Sequence, residues 1–256
     1  TPKAVRKDNA VASTANVPCE GYPEITLVVG IDEDSARIWQ HTWPTWMRFK
    51  PWLGELPLIV VHDSSLCPET MGLKFLEEHP KVRFATFNAT EASTSGEQLL
   101  SALISYPAEL VETPWHLKLD PEAVACGNGP LVDPESFQPD TKDRLHAIIA
   151  HSWGYIKPAD TMTQLDDWAD TVPGLQEHPR LEIPFDPNDS RIKLPTIASW
   201  CVIANTAWTR EIAQFTPQPL PVSSYATYIH YCAQRQGQSV KRVKMKDYGW
   251  DHSFGG

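Results

Sequence analysis

Long apolar runs are missing from this chain: no stretch of eighteen apolar residues occurs, so nothing in it reads as a membrane-spanning helix. Basic charge is not in excess either. Lys and Arg number 22 against 32 Asp and Glu, a formal net charge of −10, and a surface of that sign lacks the basic stripe a nucleic-acid backbone demands. An anionic small molecule remains admissible, because carboxylates can hold a metal that in turn holds a pyrophosphate. Five cysteines (Cys19, Cys67, Cys126, Cys201, Cys232) are scattered without a C-x-x-C pair. That excludes a disulfide framework and predicts reduced thiols in a reducing, cytoplasmic compartment. Thr1–Ala15 has no apolar core of the kind a signal peptide needs. The chain opens on Thr1 rather than Met and closes on Gly255-Gly256, which leaves room for it to be a piece of a longer protein. The G-x-G-x-x-G fingerprint, the Walker A loop and the G-x-S-x-G elbow are all absent, which counts against dinucleotide oxidoreductases, P-loop NTPases and serine hydrolases.

Proline (23) and tryptophan (10) are plentiful instead. Many prolines imply short elements joined by firm turns. Tryptophan serves either a core or a sugar-binding cleft, and composition does not separate the two.

Residues 1–22 carry no hydrophobic period and read as a polar arm. Ile25–Ile31 is a β-branched run ending in the acidic turn Asp32-Glu33-Asp34, the pattern of a buried strand. Ser35–Phe49 has apolar residues at helical spacing, with Pro44 expected to end or kink the helix. Strands follow over Leu56–Val61, which leads into His62-Asp63, over Val82–Phe87, and over Trp115–Leu119, which ends at Asp120. Helices are expected over Pro68–Glu78 and Gly96–Leu110. The later chain reads as strands over 144–152, 197–204 and 239–245 and helices over 160–172, 206–215 and 222–236. Alternating strands and helices imply an α/β domain with a central, mostly parallel sheet and helices on both faces. Ligands in such sheets bind outside the carboxyl ends of the strands, where Asp32, Asp63 and Asp120 fall.

The stretch Trp115-His116-Leu117-Lys118-Leu119-Asp120-Pro121-Glu122 carries the chemistry. Side chains two apart in an extended chain point the same way, so Asp120 and Glu122 are expected on one side of the sheet mouth. Two oxygen donors there suit Mn²⁺ or Mg²⁺, a hard cation that keeps positions open for diphosphate oxygens. Asp-Pro-Glu after a strand also suits a helix start, with Asp as cap and Pro at the first helical position. Lys118 alternates with two leucines and is expected to snorkel from the opposite face, and His116 to be structural. Asp166-Asp167 reads as a solvated helix face. Trp153 and Tyr155 either line an acceptor pocket or pack under the sheet.

From Gly96 to Glu122 the sequence resembles GT-A glycosyltransferases, in which a strand ends in an Asp-x-Asp metal motif; Asp120 and Glu122 match its first and last acids. The strands over 25–31 and 58–63 resemble that fold's first two. The resemblance implies a single GT-A-like domain over 23–256, with a nucleotide-binding half over about 23–125 and an acceptor half over about 126–256. It implies base or ribose contacts at Asp32 and Asp63, and a third metal ligand at His252, within Tyr248-Gly249-Trp250-Asp251-His252. Asp251 is the candidate catalytic contributor. The expected partners are a UDP- or GDP-type nucleotide-sugar donor and an unidentified acceptor. One departure stands out: Val222–Thr227, where inverting relatives carry an acid, has none. The alternatives are a non-catalytic sugar- or protein-binding domain on the same scaffold, or a nucleotidyltransferase. The acidic Gly30–Asp34 loop disfavours the latter.

Overall fold

In a computed structural model, residues 21–63, 71–76, 79–87, 110–140, 142, 144, 146–158, 160–181, 191–215 and 225–252 are described. The helix expected over 96–110 lies outside them except for Leu110; of the one expected over 68–78, residues 71–76 are described and form a turn and a short 3-10 helix over Leu73–Leu76. The strands are β1 (Ile25–Ile31), β2 (Leu58–Asp63), β3 (Val82–Phe87), β4 (Trp115–Leu119), β5 (Val124–Ala125), β6 (His146–Pro158), β7 (Arg191–Asn205), β8 (Ser239–Arg242) and β9 (Trp250–Asp251). The helices are α1 (Glu33–Phe49), α2 (Asp160–Ala169), α3 (Thr206–Phe215) and α4 (Tyr225–Arg235). Seven strands form one sheet in the order β3-β2-β1-β4-β7-β6-β8, and β5 with β9 makes a separate two-stranded ribbon.

The first half is a parallel β3-β2-β1-β4 array. β7 runs antiparallel to both β4 and β6, and β8 is parallel to β6. The sheet is therefore mostly parallel, as expected, with one reversed strand at its centre. β1 and β4 are buried along their whole length, as the middle of a sheet covered on both faces requires.

α1 covers one face. It buries Ala36, Trp39, Thr42, Trp43 and Trp46 at helical spacing, and Trp39, Trp43 and Trp46 pack edge-on and tilted against one another and Phe75. Pro44 neither ends nor breaks this helix. Its ring faces solvent, and burial of the neighbouring indoles outweighs the one hydrogen bond it removes. With Trp52 and Trp250 in the same core, the tryptophan excess is mainly structural. The other face packs α2, α3 and α4 against Ile148, Ala150, Val202 and Ala204.

β6 and β7 are longer than the sequence pattern indicated. The pairing of β4 ends at Leu119↔Cys201, one pair past the row Lys118↔Val202↔Ala150, yet Ser152–Pro158 stays paired with Arg191–Ile197 beyond it. β6 runs in the same direction as β4, so this ribbon continues past the carboxyl end of β4.

Candidate active site

β2, β1 and β4 are neighbours, with register Ile31↔His62 and Val28↔Lys118. Asp32 and Asp63 directly follow the Ile31↔His62 row and Asp120 comes two residues after Lys118, so the three arrive at one lip, the same end of adjacent strands, which are about 4.8 Å apart. Asp63 is the last residue of β2 and pairs with Phe87 through the backbone. Asp32 is the N-cap of α1: its Oδ1 accepts from Ser35 N at 2.7 Å, while Ser35 Oγ accepts from Asp32 N at 2.8 Å. That reciprocal capping box fixes where strand becomes helix.

Asp120 N donates to Trp200 O at 2.8 Å, and Asp120 O accepts from Ala123 N at 3.0 Å. The second bond closes a turn over Asp120-Pro121-Glu122-Ala123, so the extended alternation expected for residues 120 and 122 stops at Leu119. Pro121, with its fixed φ, suits the second position of such a turn. α1 holds the turn from beneath: Thr42 donates to Pro121 O, and Trp46 Nε1 donates to Ala123 O at 2.7 Å.

Glu122 meets the C-terminal segment. Val124↔Asp251 and Ala125↔Trp250 pair antiparallel, and Cys126 N donates to Gly249 O at 2.9 Å. This places His252 Nε2 3.5 Å from Glu122 Oε2. The His252 ring stacks on Trp200, with centroids 5.4 Å apart and planes at 20°. Trp200 thus touches both ends of the site, Asp120 by its carbonyl and His252 by its indole. Asp251 Oδ1 accepts from His252 N at 2.9 Å and lies 3.2 Å from Lys246 Nζ.

Lys118 departs from expectation. Rather than snorkelling, it is 1% exposed, its ammonium pairs with Asp120 Oδ1, and it donates to Ser199 O at 2.6 Å. Asp120, 27% exposed, therefore sits between a buried cation and solvent. Nearby, burial pushes the Cys201 thiol upward, so it is a protonated core group and no nucleophile. His116 is structural, as expected: it is buried, Nδ1 lies 3.2 Å from Thr206 Oγ1, and desolvation drives it down to about 4. Asp166 is a second correction. It is not solvated but buried, bonded to Tyr231 OH at 2.6 Å and Arg235 Nη1 at 2.8 Å, and it ties α2 to α4. The side chains of Trp153 and Tyr155, and residues 222–224, lie outside the described residues.

Among the described residues no three His, Cys, Asp or Glu side chains already stand close enough to enclose a metal. The donors nonetheless suit one. His252 Nε2 is buried and makes no hydrogen bond, yet it faces a carboxylate oxygen 3.5 Å away. Two donors bound at about 2.1 Å to one octahedral cation stand about 3 Å apart, so small side-chain movements would let the pair share an ion. Asp120 Oδ2, which has no partner among the described residues, is the further oxygen at the lip.

This arrangement is the GT-A fold. The chain superposes on the mannosyltransferase Ktr4p from S. cerevisiae with a TM-score of 0.56 at 11% identity, covering 97% of this chain and 74% of that one. On the same enzyme in complex with GDP the TM-score is 0.54 at 10% identity, over 98% and 76% of the two chains. By sequence the chain matches no protein-family model and no curated protein. The resemblance to GT-A glycosyltransferases is thus carried by the order and pairing of elements. Among the described residues no helix is long and apolar enough to cross a membrane.

Proposed function

We propose that this protein is a glycosyltransferase that moves a sugar from a nucleoside-diphosphate donor of the GDP or UDP type to an acceptor hydroxyl. What supports the reading is the buried, unbonded Nε2 of His252 facing Glu122 beside Asp120, at the lip where α/β sheets bind ligands. Glu122, His252 and the free oxygen of Asp120 would hold Mn²⁺ or Mg²⁺. Such a cation, when bound, neutralises charge on the departing diphosphate. Lys118 fixes Asp120 by one oxygen, so the other keeps a set direction. Trp200 fixes the plane of the imidazole. Asp32, whose cap uses Oδ1, would offer Oδ2 to ribose or base, with Asp63 on the next strand doing likewise. Asp251 orients the backbone of His252 and is the nearest further carboxylate.

The test is calorimetry of GDP and UDP with and without Mn²⁺, followed by donor turnover. Tight binding only with metal, lost in Asp120→Asn, is the expected result. Equal affinity with and without metal in both forms refutes it. A second reading is a non-catalytic sugar-binding domain, favoured by the absence of any acid in the first turn of α4. Release of nucleoside diphosphate from a nucleotide-sugar separates the two, because a binding module releases none.

A further inference from the structure

Lys50 closes α1 as its C-cap residue and is fully buried. Burying an ammonium is costly unless it is paired, and among the described residues no carboxylate pairs with it. Instead Nζ donates to Tyr248 O at 2.5 Å and to Gly129 O at 3.1 Å, and it lies 5.7 Å from the centre of the Trp250 ring. An apolar side chain would fill this space without the desolvation penalty. The charge is explained only by what it grips: two carbonyls from segments 79 and 198 residues away.

Those segments are the two sides of the strap that brings His252 to Glu122. Tyr248 is followed by Gly249 at φ 75°, whose Cα packs so closely on Gly127 that an added Cβ would stand 2.5 Å from Gly127 O. Trp250 and Asp251 then pair with β5, and His252 comes next. From the carbonyl held by Lys50 to the imidazole is a run of four residues without slack.

We infer that Lys50 is a positioning residue: its ammonium clamps the Tyr248–His252 strap onto the Gly129 loop and so sets His252 against Glu122. The part of this concerning metal rests on the glycosyltransferase reading; the clamp itself does not.

Hydrogen exchange followed by mass spectrometry on the unliganded chain reads the clamp without metal or nucleotide. In Lys50→Met the amides of 124–127 and 248–251 are expected to exchange about tenfold faster or more, while the β1 and β4 amides stay protected. Pulsed EPR of bound Mn²⁺ supplies a readout that general loosening does not imitate. The unmodified chain should show imidazole nitrogen coupling, and Lys50→Met should lose it with Mn²⁺ still held weakly by carboxylates. Unchanged exchange in the strap, or retained nitrogen coupling, overturns the proposal.

Should Lys50→Met not fold, Lys50→Gln is read in its place, because it keeps N–H donors on a stem too short to reach both carbonyls. Its strap amides are expected to exchange faster while β1 and β4 stay protected, and an unchanged strap overturns the clamp. If the unmodified chain binds neither metal nor nucleotide, the functional reading falls and the exchange result still judges Lys50.

Discussion

Asp120→Asn is the sharpest perturbation, because two different losses follow from it. The carboxylate balances Lys118, whose ammonium is 1% exposed. Removing one partner of a fully buried pair costs about 3–5 kcal/mol, but Asp120 is itself 27% exposed and Asn still offers an acceptor oxygen. The expected loss of stability is therefore about 2 kcal/mol, near that of a hydrogen bond to a charged group. For a chain of this size that lowers Tm by roughly 4–8 °C. The second loss is the Mn²⁺-dependent binding of GDP or UDP. A double variant separates them. Lys118→Met with Asp120→Asn removes both charges together, so Tm should recover by at least half while nucleotide binding stays absent. Scanning calorimetry measures the first quantity and titration calorimetry the second. An Asp120→Asn protein as stable as the unmodified chain would refute the pairing argument, and a double variant that binds nucleotide normally would refute the role of Asp120.

Glu122→Gln and His252→Ala should each weaken Mn²⁺ binding by more than about tenfold, measured by titration with Mn²⁺, and leave Tm nearly unchanged; equal affinity in both would end the pairing of these two as ligands. Stability should fall as pH drops from 6.5 towards 4. Burial lowers His116 and His230 to about 4, so the unfolded chain takes up protons that the folded chain refuses, and full stability is present only above 6.5. His230→Phe should flatten part of that slope in thermal melts, and an unchanged slope would count against it. Asp166→Ala, far from the lip, strips one partner from the buried Arg235 and leaves Asp170; a loss of about 3 kcal/mol with unaltered nucleotide affinity is expected.

The parts of the fold that were legible in the sequence share one trait: they repeat. β1 is an apolar run and β4 an alternation, each followed by an acid, and α1 has a cap and an indole at each turn. Lys118 had a readable signal that alternation alone obscures. A strand in the middle of a sheet covered on both faces has no solvent side, so a lysine in it must have a buried partner, and Asp120 two residues on is the one within reach. Asp166 likewise shares the stripe of Met162, Leu165 and Ala169, and is therefore turned inward. The meeting of His252 with Glu122 had no such signal. It depends on β5 and β9, two residues each, and on a glycine pair whose close approach is invisible to any periodicity. The turn at Asp120 was hidden for a related reason: Pro121 is as compatible with a bend as with an extended link.

The paired run of Ser152–Pro158 with Arg191–Ile197 gives the lip an uneven skyline. At about 3.3 Å per residue it stands some 20 Å beyond the end of β4, a parapet on one flank of the lip. A guest arriving over that flank meets paired backbone that yields only if two strands bend together. The two strands are joined through α2 rather than by a tight turn, so trimming this ribbon would also pull on that helix.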